Sequence, residues 1–303
     1  GLEAGGAYYF TVESGKFEGE EMKFHTIPND GSPIRFVTGG DIGILPAATQ
    51  LKRKAAEYDP HFAIIGGDLP YANGRLKNVF MWDRYLSTFQ NNFVRSDGAL
   101  IPVVSAIGNH ETNKDFEEPA LKAPFYFGFL PQGGSTYFSL TFGPDIYMAI
   151  LDTNHIIPHA GPQTEWLAAD LEKHKDYKYR FACYHVPLYP SHRSFEGSSS
   201  VAGREHWLPL FDEYKLTAAF ENHDHTFKRT KLLRGNQVDP EGTLYLGDGC
   251  MGVPARSCDN KDQWYIETAS GTQHFWVVDV DDSGVSYRAV NIRGEVFDRH
   301  PEK

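Results

Sequence analysis

Short apolar runs alternate with longer amphipathic stretches along most of this chain. Residues 34–38, 62–65, 103–107, 147–151, 180–184 and 217–220 are rich in β-branched and aromatic side chains and read as buried strands. Between them, 47–57, 81–92, 164–174 and 204–214 carry helical spacing, and 274–296 returns to strand-like alternation. Strands alternating with helices, then a strand-rich tail, predict an α/β (α+β) fold of two packed mixed β-sheets flanked by helices. The triple serine Ser198-Ser199-Ser200 predicts a flexible surface loop.

The first thirty residues differ in character. Residues 7–12 and 21–26 form two strand-like runs around a turn at Ser14-Gly15, predicting a β-hairpin. Two strands alone are marginal in water, so this hairpin either packs on the rest of the chain or moves freely. The division expected is 1–30 for the hairpin and 31–303 for a catalytic domain.

Almost every candidate for chemistry lies just beyond a strand, where α/β folds place their sites. Gly40-Asp41-Ile42-Gly43 follows the first strand and Gly66-Gly67-Asp68-Leu69-Pro70-Tyr71 the second. Gly108-Asn109-His110-Glu111, Tyr184-His185 and Asn222-His223-Asp224-His225 follow later ones. Together these supply carboxylates, imidazoles, an amide and a phenol, a donor set for two metal ions. One carboxylate must bridge such a pair, holding the ions about 3.5–4 Å apart. Asp68 suits that place because glycines before it let the backbone come close. His223 and His225, one residue apart, can send one imidazole to each ion. Tyr71 is the unusual donor. Phenol has a pKa of about 10 and binds ordinary divalent ions poorly, so its presence argues for iron(III).

The ordered set Asp, Gly-Asp-x-x-Tyr, Gly-Asn-His-Glu, His, His-x-His resembles the purple acid phosphatases, within the calcineurin-like metallophosphoesterases, from Ile34 to near the C-terminal end. The segment Gln163-Thr164-Glu165-Trp166-Leu167 resembles the helix opening found there in the family. The resemblance implies that Asp41, Asp68, Tyr71 and His225 bind a ferric ion. Asp68, Asn109, His185 and His223 would bind a divalent partner, whether iron, zinc or manganese. It further implies in-line attack on a phosphate monoester by a metal-bound hydroxide, with activity persisting at mildly acidic pH. His110 corresponds to a substrate-facing histidine of the family, and His192 lies in the loop where further ones occur. Arg193 could add phosphate binding. The alternatives are a phosphodiesterase or pyrophosphate-cleaving enzyme on the same ions, and a non-catalytic binding module. The hairpin resembles the end of the family's fibronectin-like β-sandwich, and is either its remnant or an ordinary N-terminal hairpin.

Two positions depart from the family pattern. Asn222 stands where its last block begins with glycine. Gly43 stands where other calcineurin-like phosphoesterases carry a histidine, so Tyr71 and the missing histidine together fit the purple version.

Charge and cysteines narrow the picture. Forty acidic against twenty-nine basic residues give a net charge of −11, which disfavours nucleic acid as a partner and leaves a small phosphate ester as the expected one. No run of about eighteen apolar residues is present to span a membrane. The chain starts in mid-pattern at Gly1 without a signal peptide, as a mature or trimmed extracytoplasmic form would. Cys250 and Cys258, in a loop rich in Gly, Pro and Asp, are expected to close a small disulfide ring, in keeping with that location. Cys183 is expected to be an apolar filler.

Overall fold

The structure, a computed structural model, describes residues 1–129 and 134–301. Two large mixed sheets face one another. One has six strands, in the order Val296–His300, Gly284–Asn291, His274–Asp281, Ile34–Gly39, Phe62–Ile65, Val103–Ser105. The other has seven, in the order Ile266–Ser270, Phe227–Thr230, Leu244–Gly247, Ala218–Phe220, Tyr179–Cys183, Ile146–Ile150, Phe138–Phe142. In the seven-stranded sheet parallel pairs occupy the centre and antiparallel pairs both edges, whereas in the six-stranded sheet the parallel pairs run out to the Val103–Ser105 edge and the antiparallel ones fill the other side.

Strand alternation divides the apolar side chains between two layers. Phe36, Phe62 and Ile64 point inward to meet Ile146, Phe181 and Phe220 of the other sheet. Phe62 stacks on Phe142 with ring centroids 3.7 Å apart, and Phe36 meets Phe181 and Phe220 edge-on. Val37, Ala63 and Ile65 point the other way, beneath helices Pro46–Ala56 and Val79–Asn92. Tyr147, Ala149 and Ala182 do the same under helix Pro162–Lys173 and the paired helices Ser198–His206 and Leu208–Glu213. The result is the helix–sheet–sheet–helix sandwich expected from the pattern.

Local expectations fail in three places. The helix expected over 204–214 is two helices meeting at Trp207, because Pro209 has no N–H to donate and its ring clashes with a carbonyl one turn earlier. Ser198-Ser199-Ser200 is no flexible loop but the first turn of helix Ser198–His206. The Ser200 hydroxyl donates to Pro187 O at 2.6 Å and that of Ser199 to Thr153 O at 3.2 Å. Cys250 and Cys258 are free thiols rather than a bridge. Cys250 is buried with its Sγ donating to Val253 O, so the ring closure has no basis and its support for an extracytoplasmic location goes with it. Cys183 is the buried filler expected.

The hairpin forms between Ala7–Phe10 and Met22–His25, and it touches the sandwich. Leu100 N donates to Lys23 O, and Asp97 Oδ2 lies 2.6 Å from both Lys23 Nζ and His25 Nε2. No helix among the described residues is long and apolar enough to cross a membrane.

Candidate metal centre

The ligand candidates converge from five separate loops at the carboxyl ends of the parallel strands. Asp41 follows Ile34–Gly39, Asp68 and Tyr71 follow Phe62–Ile65, and Asn109 follows Val103–Ser105. His185 follows Tyr179–Cys183, and His223 and His225 follow Ala218–Phe220. One donor atom from each of Asp68, His185 and His223 lies within 4.8 Å of the others, and the same holds for Asp41, Asp68 and His225. Asp68 belongs to both groups. The Tyr71 hydroxyl joins the second, 3.1 Å from Asp41 Oδ1 and 3.1 Å from His225 Nε2. Asn109 joins the first, with Oδ1 3.2 Å from His185 Nε2. All seven sequence candidates therefore lie together, in two overlapping groups that share Asp68.

Five of the seven sit at positive φ: Asp41 (55°), Asp68 (52°), Tyr71 (67°), His223 (75°) and His225 (58°). Such a conformation costs a non-glycine residue about 1–3 kcal/mol, so the surroundings must hold it. Gly67 and Gly108 pack backbone to backbone, a Cβ on Gly67 falling 2.7 Å from Gly108 N. Glu111 locks this crossing. Its buried carboxylate accepts the N–H groups of Asp68, Leu69 and Gly108, each at 2.8 Å. His110 N donates to Asp68 Oδ1, fixing the carboxylate from the other side.

Imidazole orientation is set in the same way. His185 Nδ1 lies 2.8 Å from Gly66 O, and a carbonyl only accepts, so Nδ1 carries a proton and Nε2 is the nitrogen that faces the cluster. Asp41 Oδ2 accepts the N–H of His223, while Oδ1 meets His225 Nε2 at 2.9 Å.

The two acids favour positive charge on His185, whereas burial and His185 itself keep His223 neutral. Burial opposes protonation of His185, but Asp68 and Asp41 outweigh it and lift its pKa to about 9. Burial likewise opposes ionisation of Asp41, yet His185 and His225 hold its carboxyl well below the usual range. Burial, then Asp41 and Asp68, push the Tyr71 phenol far above its ordinary value. Only a strongly polarising cation would ionise it there. Two buried carboxylates, three imidazoles, an amide oxygen and a phenol are a donor set that fits a pair of ions, one of them hard and highly charged.

His110 and His192 are placed differently. The His110 ring lies over Tyr71, centroids 4.3 Å apart, with Nε2 3.8 Å from Asp68 Oδ2 and Nδ1 on Asn73 Oδ1. The His192 ring instead meets Asp259, Nδ1 to Oδ2 at 3.2 Å, while its backbone N–H donates to Asp224. Arg193 turns back to His223 O and Asp224 Oδ1 at 2.6 and 2.8 Å, bracing the ligand loop from behind.

Several residues that matter here escaped sequence reasoning. Glu111 stands inside a quoted motif, and a carboxylate next to glycine-flanked ligands was the available signal. Asp224, fully buried, ties the His192 loop to the His223–His225 loop. Asn222 has a structural use as well: its amide fills the gap between Gly40 and Gly66 and donates to Tyr184 O at 2.9 Å.

Comparison with known proteins agrees with this geometry. Residues 34–227 match the calcineurin-like phosphoesterase family. Purple acid phosphatase 15 of Arabidopsis thaliana is 26% identical over 280 residues, which span 82% of this chain and 52% of that protein. Purple acid phosphatase 23 of the same plant is 25% identical over 284 residues, spanning 82% and 60%. The chain thus spans between half and two thirds of these relatives. Among solved structures, a purple acid phosphatase from yellow lupin (Lupinus luteus) seeds superposes with a TM-score of 0.79 at 19% identity, covering 93% of this chain and 56% of that one. With the match covering 34–227, this chain belongs to the calcineurin-like phosphoesterase family.

Proposed function

We propose that this chain is a dinuclear-metal phosphatase acting on phosphate monoesters, with 31–303 as its catalytic unit. Asp68 carries the reading, because it is shared between two donor groups and only one of them contains a phenol. Asp41, Asp68, Tyr71 and His225 would hold a ferric ion, and Asp68, Asn109, His185 and His223 a divalent iron, zinc or manganese ion. Such a pair, when bound, neutralises the phosphate and makes hydroxide available at mild pH.

The protein's own part is placement. Glu111 and the His110 N–H fix Asp68, and the Gly66 carbonyl fixes the His185 tautomer. An amide oxygen at Asn109, in place of a carboxylate, keeps the site's net positive charge high for a dianionic ester. His110 holds its Nδ1–H on Asn73 Oδ1 and turns Nε2 toward the cluster, so it can hand a proton to the leaving alkoxide from Nε2 only as the imidazolium, protonated on both nitrogens. His192 borders the site through its loop rather than through its ring.

The test is a visible absorption spectrum of protein purified without chelator, with metal analysis and a Tyr71→Phe control. A broad visible band lost in the control, with about two metals per chain including iron, is the expected result. Full activity in colourless protein holding only zinc or manganese would remove Tyr71 from the site. Turnover of bis(4-nitrophenyl) phosphate faster than of 4-nitrophenyl phosphate would move the reading to a phosphodiesterase.

A further inference from the structure

A cavity of about 510 Å³ opens directly against the cluster, sharing Tyr71 and His225 with it. That volume lies within the roughly 300–1,000 Å³ of small-molecule sites. Its walls come from three elements: Ile44 and Leu45 before helix Pro46–Ala56, Met81 on helix Val79–Asn92, and Val253 with Pro254 in the loop beyond Met251. The space exists partly because Gly43 lacks a side chain; its φ is +66°, and a Cβ there would reach 3.7 Å from both Tyr71 Cδ2 and Val253 Cγ1. Arg256 supplies charge at one edge, its guanidinium 3.4 Å from His223 O. None of these wall residues is needed to hold an ion.

We infer that this cavity receives the leaving group of the phosphate ester, and that it selects a bulky apolar alcohol, arylalkyl or branched alkyl, over polyol or nucleoside alcohols. The inference rests on the phosphatase reading and adds the substrate class to it. A phosphate held between the two donor groups has Tyr71 and His225 on one side, and the leaving group has room beyond them. Hydroxyls set against Ile44, Leu45, Met81, Val253 and Pro254 would lose water on that side and find no partner among these side chains. An apolar group instead gains from leaving water. A further anionic group on the alcohol is disfavoured by the chain's net charge of −11. Arg256, beside the His223 carbonyl, is placed for the phosphate end rather than the alcohol end.

The experiment compares benzyl phosphate with glycerol phosphate, both alkoxide-leaving monoesters, on metal-loaded protein. The expected kcat/KM ratio favours benzyl phosphate by about tenfold or more, the scale that a few methylenes in an apolar pocket provide. Met81→Glu charges the wall, and Ala255→Trp fills the cavity from an exposed loop position without touching the core. Each should lower the ratio at least several-fold while the protein still melts cooperatively. Calorimetric binding of benzylphosphonate against methylphosphonate should show the same preference and the same loss. Equal kcat/KM for the two esters, or ratios unmoved in both variants, would overturn the inference. Should neither ester turn over, the phosphatase reading fails, and the phosphonate pair then decides the cavity's preference by itself.

Discussion

Substituting methionine for Lys228 tests how the ligand loops are held. Lys228 is completely buried on strand Phe227–Thr230, with Nζ paired to Glu221 and 2.6 Å from Asp248 Oδ1, and donating to Tyr189 O at 2.6 Å. Each acid spends its other oxygen on the segment that carries His185 and His192. Glu221 Oε1 accepts from the Tyr184 hydroxyl and Leu188 N, and Asp248 Oδ2 from Ser191 N and Oγ. Removing one partner of a buried pair costs about 3–5 kcal/mol, since it strands the other charge. Methionine keeps the volume of the chain, so little of that loss is packing.

The sign of the pH dependence follows from Asp248. Burial raises its pKa to about 8 even with Lys228 pulling it down, and removal of the lysine raises it further. A carboxyl raised above its unfolded value, about 3.9, holds its proton longer when folded. Its contribution to stability is therefore present at low pH and fades as pH climbs through the folded pKa. Lys228→Met should lose less at pH 5, where Asp248 carries its proton with or without the lysine, and more from about pH 8 upward, where only the parent's Asp248 ionises beside its lysine. Guanidinium unfolding in the presence of chelator measures both without a contribution from bound ions, and the melting temperature at pH 8 should fall by on the order of 10 °C. Adding Asp248→Asn should recover part of the loss at pH 8 and little at pH 5. A loss under about 1 kcal/mol, or one equal at the two pH values, would refute the claim that this pair holds the loops.

Two further outcomes follow from the same geometry. Glu111→Gln replaces one acceptor oxygen by an NH2 group facing backbone N–H donors, so metal affinity should fall by about 10–100-fold, measured by metal retention against a graded chelator; retention like the parent's would deny Glu111 its positioning role. Asp97→Ala should free the N-terminal hairpin, read as faster amide exchange over Met22–His25. In the parent, the Lys23 and His25 contacts hold the Asp97 pKa below its ordinary value, so its share of the docking is intact above about pH 4 and lost as pH falls further. Because Asp97 is 39% exposed, water screens much of this contribution, and the effect should be local.

The fold was largely legible because buried strands on both sides of a sheet must be apolar throughout. Phe62–Ile65 and Ile146–Ile150 announce themselves that way. Strand Phe227–Thr230 does not, since its Lys228 and Arg229 are buried by ion pairs with Glu221, Asp248 and Asp298, all outside the strand. Periodicity has no means of seeing partners seventy residues away, as Asp298 nearly is from Arg229. The ligand set was legible for a different reason. Chemistry fixes residue types, so seven donors in order could be named, while the left-handed backbone at five of them could not, because glycine is the usual sign of positive φ and these are Asp, Tyr and His. The supporting acids stayed hidden for the same reason as the strand: Glu111 and Asp224 act through hydrogen bonds that only the crossing of loops creates.

Gly43 and Tyr71 show how one substitution can constrain another within such a site. A Cβ at Gly43 would sit at ordinary contact distance, 3.7 Å, from both the Tyr71 ring and Val253, so a longer side chain there would have to turn into the cavity or displace one of them. A histidine at 43 and a tyrosine at 71 would therefore compete for one volume, and the backbone at 43, with φ at +66°, further disfavours a side chain there. Positions 43 and 71 are thus linked through space rather than independent. The link also explains why the cavity lies where it does. With a side chain reaching in from position 71 instead of 43, the space beside Gly43 stays open between Ile44 and Val253, so Tyr71 also shapes the pocket next to the cluster.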